Sequence, residues 1–290
     1  DTGVVILTGE ALRRENAESI ASIISKKGGE FVTATAGNHM EAMLAAYGSG
    51  AAKASHDTGK RFLNMDIGGG TTKLALVEDG KVLWTAALHV GGRLIVFKND
   101  SVTRIDPAGA HHARCANLDL EIGSPVTASN MECIAKGMAD LLVRTITEIP
   151  TPKIILDLFL TDAPEDLSNL DGVMFSGGVA EYVYDREQRN FGDLGFYLGK
   201  FIRQRVEAGD FGMPLIEAGA CIRATALGAS EYSVQLSGQT STISTPGKVL
   251  PRRNMQVLKP DLDISQDPNA EEIAAAIKAH YKSFDLDIET

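Results

Sequence analysis

The run Asp66-Ile-Gly-Gly-Gly-Thr-Thr72 restricts this chain more than any other feature, because it lies between two stretches that both read as strands. Residues 61–65 before it form a short apolar run. Residues 73–78 after it alternate polar and apolar until Asp79-Gly80 turns the chain back. The pattern predicts strand, tight glycine turn, strand. A P-loop needs GxxxxGK[ST] and a dinucleotide fingerprint needs GxGxxG, each opening a helix, and neither is present. Here the glycines open a strand, so no helix dipole holds an anion at this place. What remains is a glycine hairpin. Gly68, Gly69 and Gly70 lack a Cβ and let backbone N–H groups approach an oxyanion, and the hydroxyls of Thr71 and Thr72 add donors. Asp66, read as an exposed strand end, offers hard oxygen to Mg²⁺ through water. The plainer reading is a β-hairpin whose glycines only permit the turn, yet a bare turn needs neither two threonines nor a preceding acid.

Composition narrows the partners. A chain of 290 residues, 44% hydrophobic and 23% charged, can bury a large core in one big or two modest α/β domains. Its formal net charge of −10 argues against a nucleic-acid or anionic-membrane surface, which needs a positive field. Any anion must then be held by local geometry. Cys115, Cys133 and Cys221 form no CxxC pair, which fits a reducing compartment. No apolar run approaches the ~20 residues that span a bilayer, and no leader pattern opens the chain. The expected location is cytoplasmic. Asp1 runs almost directly into a strand-like segment, so the opening reads as the interior of a longer protein.

Along the chain, strands are expected at residues 4–7 and 31–35 and helices at 10–26 and 38–47, an alternation that predicts a partly parallel sheet. Residues 61–97 read as three or four strands with turns at Asp79-Gly80 and Gly91-Gly92. The longest helix is expected at residues 127–148, with Ile134, Met138, Leu141, Leu142 and Ile146 on one stripe. A strand at 154–159, a strand at 170–175, helices at 194–207 and 218–230, a Ser/Thr/Pro-rich tail at 237–253 and a last helix at 271–282 follow. The expected division is residues 1–60 as the remainder of a first lobe, 61–250 as a second lobe and 251–290 as an extension.

A second glycine turn strengthens the first. Val173-Met-Phe-Ser-Gly-Gly-Val-Ala180 is again an apolar strand ending in a glycine pair, here Gly177 and Gly178, which permits close approach to a flat ring or a sugar. Other candidates are weaker. His111, His112 and Cys115 lack a second ligand pair at metal spacing. Glu181 and Asp185 read more simply as a solvated face than as an acid/base pair. Trp84 and Phe97 read as core.

These residues carry a resemblance. Asp-x-Gly-Gly-Gly-Thr-Thr between strands, then a strand ending in Gly-Gly, resembles the second phosphate motif and the adenosine motif of the actin, sugar-kinase and heat-shock-chaperone ATPases, an α/β fold of ribonuclease H-like lobes. Residues 7–17, 33–37, 66–80, 175–182 and 222–230, with 231–238 beside them, resemble more closely the ethanolamine ammonia-lyase reactivating factors of ethanolamine utilisation. The resemblance implies ATP and Mg²⁺ as cofactors and an adenosylcobalamin-dependent ethanolamine ammonia-lyase as protein partner, whose damaged cobalamin is exchanged. It also implies a cytoplasmic or microcompartment setting. By position, Asp66 would face Mg²⁺ and the phosphates, Gly68, Gly69, Gly70, Thr71 and Thr72 would hold the phosphates, and Gly177 and Gly178 would flank adenosine. The sequence departs in one respect: the superfamily's first phosphate motif, of the Asp-x-Gly-Thr kind, is not found. Missing two or three charge-assisted hydrogen bonds of ~1.5–3 kcal/mol would weaken ATP binding about a hundredfold or more. Two alternatives stay open. One is a small-molecule kinase on the same fold, for which no catalytic carboxylate stands out. The other is a protein-binding module that no longer hydrolyses ATP.

Overall fold

The structure, a computed structural model, describes residues 3–8, 31–164, 166–231, 260, 262 and 268–283. The helix expected at 10–26 and the tail at 237–253 lie outside these. Two compact units divide the chain, Asp1–Met40 with Ala229–Thr290, and Glu41–Gly228. In the first unit β1 (Gly3–Thr8) and β2 (Phe31–Ala36) run parallel in continuous register, and a helix covers Ala270–Ser283.

The second unit holds the glycine turns. Helix α1 (Asn38–Gly48), which begins just before this unit, leads through Gly50 to α2 (Ala51–Thr58), and then β3 (Phe62–Ile67), β4 (Thr72–Glu78) and β5 (Lys81–Leu88) follow in quick succession. β8 (Gly172–Ser176) comes in parallel on the far side of β3, giving the order β5-β4-β3-β8 with the first three strands antiparallel. That order, a meander of three strands with a fourth added in parallel beside the first, is the sheet of a ribonuclease H-like lobe, the α/β fold of the actin-like ATPases. β3 is its central strand. With a neighbour on each edge and both faces covered, all six of its residues are buried, and an unbroken apolar run would be expected there. Asn64 and Asp66 interrupt it, both on one face of the strand.

Helix α4 (Ala128–Thr147) forms as expected. Thr127 and Asn130 build a capping box, with Asn130 N–H donating to Thr127 Oγ1 at 3.2 Å and Thr127 N–H donating to Asn130 Oδ1 at 2.9 Å. Met131, Ile134, Met138, Leu142 and Ile146 are buried on one stripe, worth about 1.5–3 kcal/mol for each large side chain. Leu141, expected on that stripe, is only partly buried. α4 packs on α7 (Gly195–Glu207).

Several expectations are corrected. Residues 154–159 are not a strand: α5 (Lys153–Leu156) starts directly after Pro152, leaving Ile154 and Leu156 exposed, because an apolar run this short does not separate helix from strand by period. The helix expected at 218–230 starts only at Ala224 (α8, Ala224–Glu231). Residues 214–216 run beside β8, with Ile216 N–H donating to Val173 O at 2.8 Å, and residues 217–223 form bends and a turn rather than helix. Trp84 and Phe97 are half-buried against the core rather than within it. Four elements escaped the sequence pattern: α2, the strand β7 (Ser101–Ile105) paired with β6 (Ile95–Lys98), α3 (Pro107–Cys115), whose Pro at the first turn was its signal, and α6 (Ala180–Val183), a single turn after the second glycine pair.

Candidate functional site

The hairpin of residues 68–71 closes with one bond, Gly68 N–H to Thr71 O at 3.0 Å. The N–H groups of Gly69, Gly70 and Thr71 donate to no acceptor among the described residues. Gly69 and Gly70 are exposed, and neither they nor Gly68 require a left-handed backbone. A Cβ added to Gly70 would meet nothing within 4 Å, and one added to Gly69 would reach only the Arg93 side chain, at 3.4 Å. Packing therefore does not demand these glycines. They leave an open cradle of backbone donors, as an anion needs.

Asp66 stands at the cradle's root and departs from its expected setting. It is buried, at 8% exposure, rather than an exposed strand end. The cause is tertiary: β4 and β8 flank it on either side, and Glu41 from α1 lies close enough to act on its charge. Burial pushes its carboxyl up to about 6, against the pull of a hydrogen bond from Ser176 and the charge of Lys73. Ser176 Oγ donates to Asp66 Oδ1 at 2.7 Å and accepts from Asn64 Nδ2 at 3.1 Å. Ser49 Oγ donates to Asn64 Oδ1 at 3.0 Å. A buried relay thus runs from the α1–α2 junction across β3 and β8 to the aspartate, and it holds Asp66 in one orientation.

Lys73 is the cross-strand partner of Asp66 and is likewise buried. It forms an ion pair with Glu41 and donates to Thr71 Oγ1. Glu41 Oε1 is buried with no hydrogen-bond partner. Two carboxylates thus face one ammonium, with a hard oxygen left over. Such a donor set fits an added divalent cation, which would offset the surplus negative charge. Neither Glu41 nor Lys73 was read from the sequence. The two threonines split. Thr71 Oγ1 borders the cradle, while the Thr72 hydroxyl is fully buried and donates to Val90 O at 2.8 Å, so it is not free as a phosphate donor.

The second turn lies against the first. Gly177 has φ +83°, and a Cβ there would sit 2.4 Å from Ile67 O, at the end of β3 where the hairpin begins. Val179 N–H donates to the same Ile67 carbonyl at 3.2 Å. Gly178 is different: its face is open except for Ile222 Cδ1 at 3.8 Å, and Ile222 is itself exposed. A third turn, residues 91–93, was read only as a strand connection. Gly92 N–H donates to Gly68 O at 2.9 Å and Arg93 N–H to Gly69 O at 2.7 Å. A Cβ on Gly91 would lie 2.4 Å from Gly69 O, and one on Gly92 would strike Val179 at 2.8 Å and Gly195 at 3.0 Å. This turn wedges the hairpin against the chain after Gly178 and the start of α7. Its signal was available, another Gly-Gly pair, with a cation behind it.

The remaining candidates do not converge. The buried His112 has its Nε2 2.7 Å from His89 O, while His111 and Cys115 pair on the exposed side at 3.6 Å. Burial lowers the His112 pKa. No group of three His, Cys, Asp or Glu able to hold a metal is found among the described residues. Glu181 Oε1 accepts from Ile222 N–H at 3.0 Å, and Asp185 pairs with Arg203 at 3.3 Å, so each carboxylate is spent on its own neighbour. No helix among the described residues is long and apolar enough to cross a membrane.

The family described as ethanolamine utilisation protein EutA matches residues 1–290. The chain belongs to the EutA family. Two curated relatives are each named ethanolamine ammonia-lyase reactivase EutA. The one from Salmonella typhimurium is 34% identical over 272 residues, 91% of this chain and 56% of its own length. The one from Escherichia coli is 33% identical over 272 residues, 90% of this chain and 55% of its own. The chain spans about half the length of these EutA relatives. Among solved structures, the ethanolamine utilization protein EutJ from Carboxydothermus hydrogenoformans is similar over 78% of this chain and 63% of its own, at 16% identity and a TM-score of 0.34. MreB 5 of Spiroplasma citri bound to AMPPNP is similar over 79% and 67%, at 15% identity and a TM-score of 0.37. At these scores neither likeness bears on the role of any residue.

Proposed function

We propose that this chain is the nucleotide-binding part of an ATP-dependent, chaperone-like reactivase that serves an adenosylcobalamin-dependent ethanolamine ammonia-lyase by promoting exchange of damaged cobalamin. The observation that carries the nucleotide reading is the cradle: three N–H groups with no acceptor among the described residues, over two glycines that packing does not require, set above a buried aspartate. Membership of the EutA family and the printed names of its two relatives support the lyase as partner.

In this reading the backbone of Gly68, Gly69, Gly70, Thr71 and Thr72 lines the phosphates, with the Thr71 hydroxyl beside them. Asp66 orients Mg²⁺ through water, held in place by Ser176. Gly177 carries the chain past Ile67 so that Gly178 and Ile222 can flank the adenosine. When bound, Mg·ATP supplies a phosphoryl group whose loss changes the charge in the cradle. The relay through Ser176, Asn64 and Ser49 ties Asp66 to the α1–α2 junction, which is how nucleotide state would reach the surface that grips the lyase.

Calorimetric titration of Mg·ATP and Mg·ADP into this chain and into the full-length gene product that carries it tests the first half. Micromolar binding to the full-length protein, lost in Asp66→Asn, is expected, and equal affinity in both variants would sink the assignment. ATP consumption that rises when inactivated lyase is added, with no small acceptor present, tests the second half and separates a reactivase from a kinase or a non-hydrolysing module.

A further inference from the structure

Two cations border the cradle, and they are placed differently. Lys73 is buried, committed to Glu41 and Thr71. Arg93 is joined to the hairpin through its backbone, whose N–H donates to Gly69 O at 2.7 Å. Its stem then runs along the open face of Gly69, with Cβ, Cγ and Cδ 3.4–3.8 Å from where a glycine Cβ would stand. Its side chain is 58% exposed, and its Nε is 3.7 Å from Asp193 Oδ2, past hydrogen-bond reach. Asp193 is held far more firmly. Its side chain is 9% exposed, and its Oδ1 accepts from Gly195 N–H, the first residue of α7, at 2.9 Å. The neighbouring Gly92 packs against Gly195 as well. The cradle and the start of α7 are therefore joined by one short turn with a loosely engaged guanidinium on it.

We infer that Arg93 is a sensor of the terminal phosphate, leaving Asp193 for the phosphoryl group that distinguishes ATP from ADP and so releasing the carboxylate that holds the start of α7. This rests on the nucleotide reading above. The chemistry favours the exchange. A guanidinium presents a planar fork that matches a phosphate in two parallel hydrogen bonds, whereas its contact with Asp193 is a single long one. Asp193 sits in a setting that already penalises its charge, since burial raises its pKa while Arg93 and the Gly195 N–H pull it back. Removing the arginine weakens the hold on the ionised form, and the α7 terminus feels the change through the same carboxylate. A device of this kind converts one phosphoryl group into a displacement at a helix that packs along α4.

The test compares affinities for Mg·ATP and Mg·ADP by calorimetry in the full-length gene product, as wild type, Arg93→Ala and Arg93→Lys, with amide hydrogen exchange at Gly195 followed in each nucleotide. Arg93→Ala should lose about tenfold or more in ATP affinity while ADP affinity stays within about twofold. The ATP-dependent change in exchange at Gly195 should vanish with it. Arg93→Lys, which keeps the stem and the charge but not the fork, should recover part of the ATP preference and covers the case of a poorly folded alanine variant. If wild type binds both nucleotides and Arg93→Ala keeps the same ATP-to-ADP ratio, this inference falls and the nucleotide reading stands. If wild type binds neither, both fall.

Discussion

At Gly70 an added Cβ would meet open space, and at Gly177 it would collide with the backbone of Ile67 at 2.4 Å in a left-handed conformation. The two residues lie in neighbouring turns at the ends of adjacent strands, and in sequence both read as glycines after an apolar strand. The first is spare as far as packing is concerned, while the second is what lets β8 and β3 end side by side. A glycine that packing requires explains itself. A glycine that packing does not require, flanked by exposed N–H groups with no acceptor among the described residues, leaves room for a ligand. Gly178 and Gly68 fall with the open class, Gly91 and Gly92 with the required one.

The comparison is most sharply tested at Gly177. Replacement by alanine adds a backbone collision to an unfavourable φ of +83°, and the two together should cost about 3–5 kcal/mol of stability in a urea titration. A loss under about 1 kcal/mol would place Gly177 with the spare glycines. The next effect comes from Asp66. Its folded pKa of about 6 lies above the ordinary 3.8, so the native state keeps a proton there that the unfolded chain has released. That contribution to stability is complete below pH 3.8 and is lost as the pH rises through 6. A folded value of about 6 against an unfolded 3.8 corresponds to roughly 3 kcal/mol. The stability difference between wild type and Asp66→Asn should therefore tilt by about that amount between pH 4 and 7.5, wild type losing ground as pH rises. A difference that does not change with pH would mean that the carboxyl is solvated in solution.

Ser176→Ala should cost about 1–3 kcal/mol, because it strands Asp66 Oδ1 and Asn64 Nδ2 in a buried setting. Its thermal unfolding can be compared with that of Thr72→Val, which breaks the buried bond to Val90 O. The smallest change in stability belongs to Gly70→Ala, within about 0.5 kcal/mol, since nothing lies within 4 Å of the new methyl. Yet that variant should lose at least about tenfold in Mg·ATP affinity by calorimetry. Unchanged affinity would reduce the hairpin to a turn.

Much of the frame was legible because it is local. The hairpin and its flanking strands follow from an apolar run, three glycines and an alternation of period two. α4 follows from its capping residues and a stripe of period 3.6, both contained in some twenty consecutive residues. α2 was not legible, since its Ala-rich but polar pattern shows no clear stripe and its ends are marked only by Gly50 and Gly59 in left-handed conformations. The error at residues 154–159 has the same origin, a run too short to show a period.

The candidate site divides along a similar line. Asp66, the three hairpin glycines and the Gly177-Gly178 pair stand out in sequence because chemistry-bearing residue types cluster next to strand ends. What surrounds them did not. Ser176 and Asp66 are 110 residues apart in the chain, and Asn64 and Ser176 112. No local pattern reports such pairings, which depend on β8 returning beside β3.

The chain's own order of residues determined that a glycine cradle, rather than a helix terminus, ends β3, and that a glycine pair ends a later strand. Those are properties of steric freedom and of side-chain period, which act over a few residues. Only the tertiary structure decided that Asp66 is buried and its proton held, that Lys73 is spent on Glu41, and that Thr72 is tied to Val90. It alone set Arg93 between the cradle and Asp193. Burial and charge are set by what other segments bring within a few ångströms, and a sequence read along its length does not contain that distance.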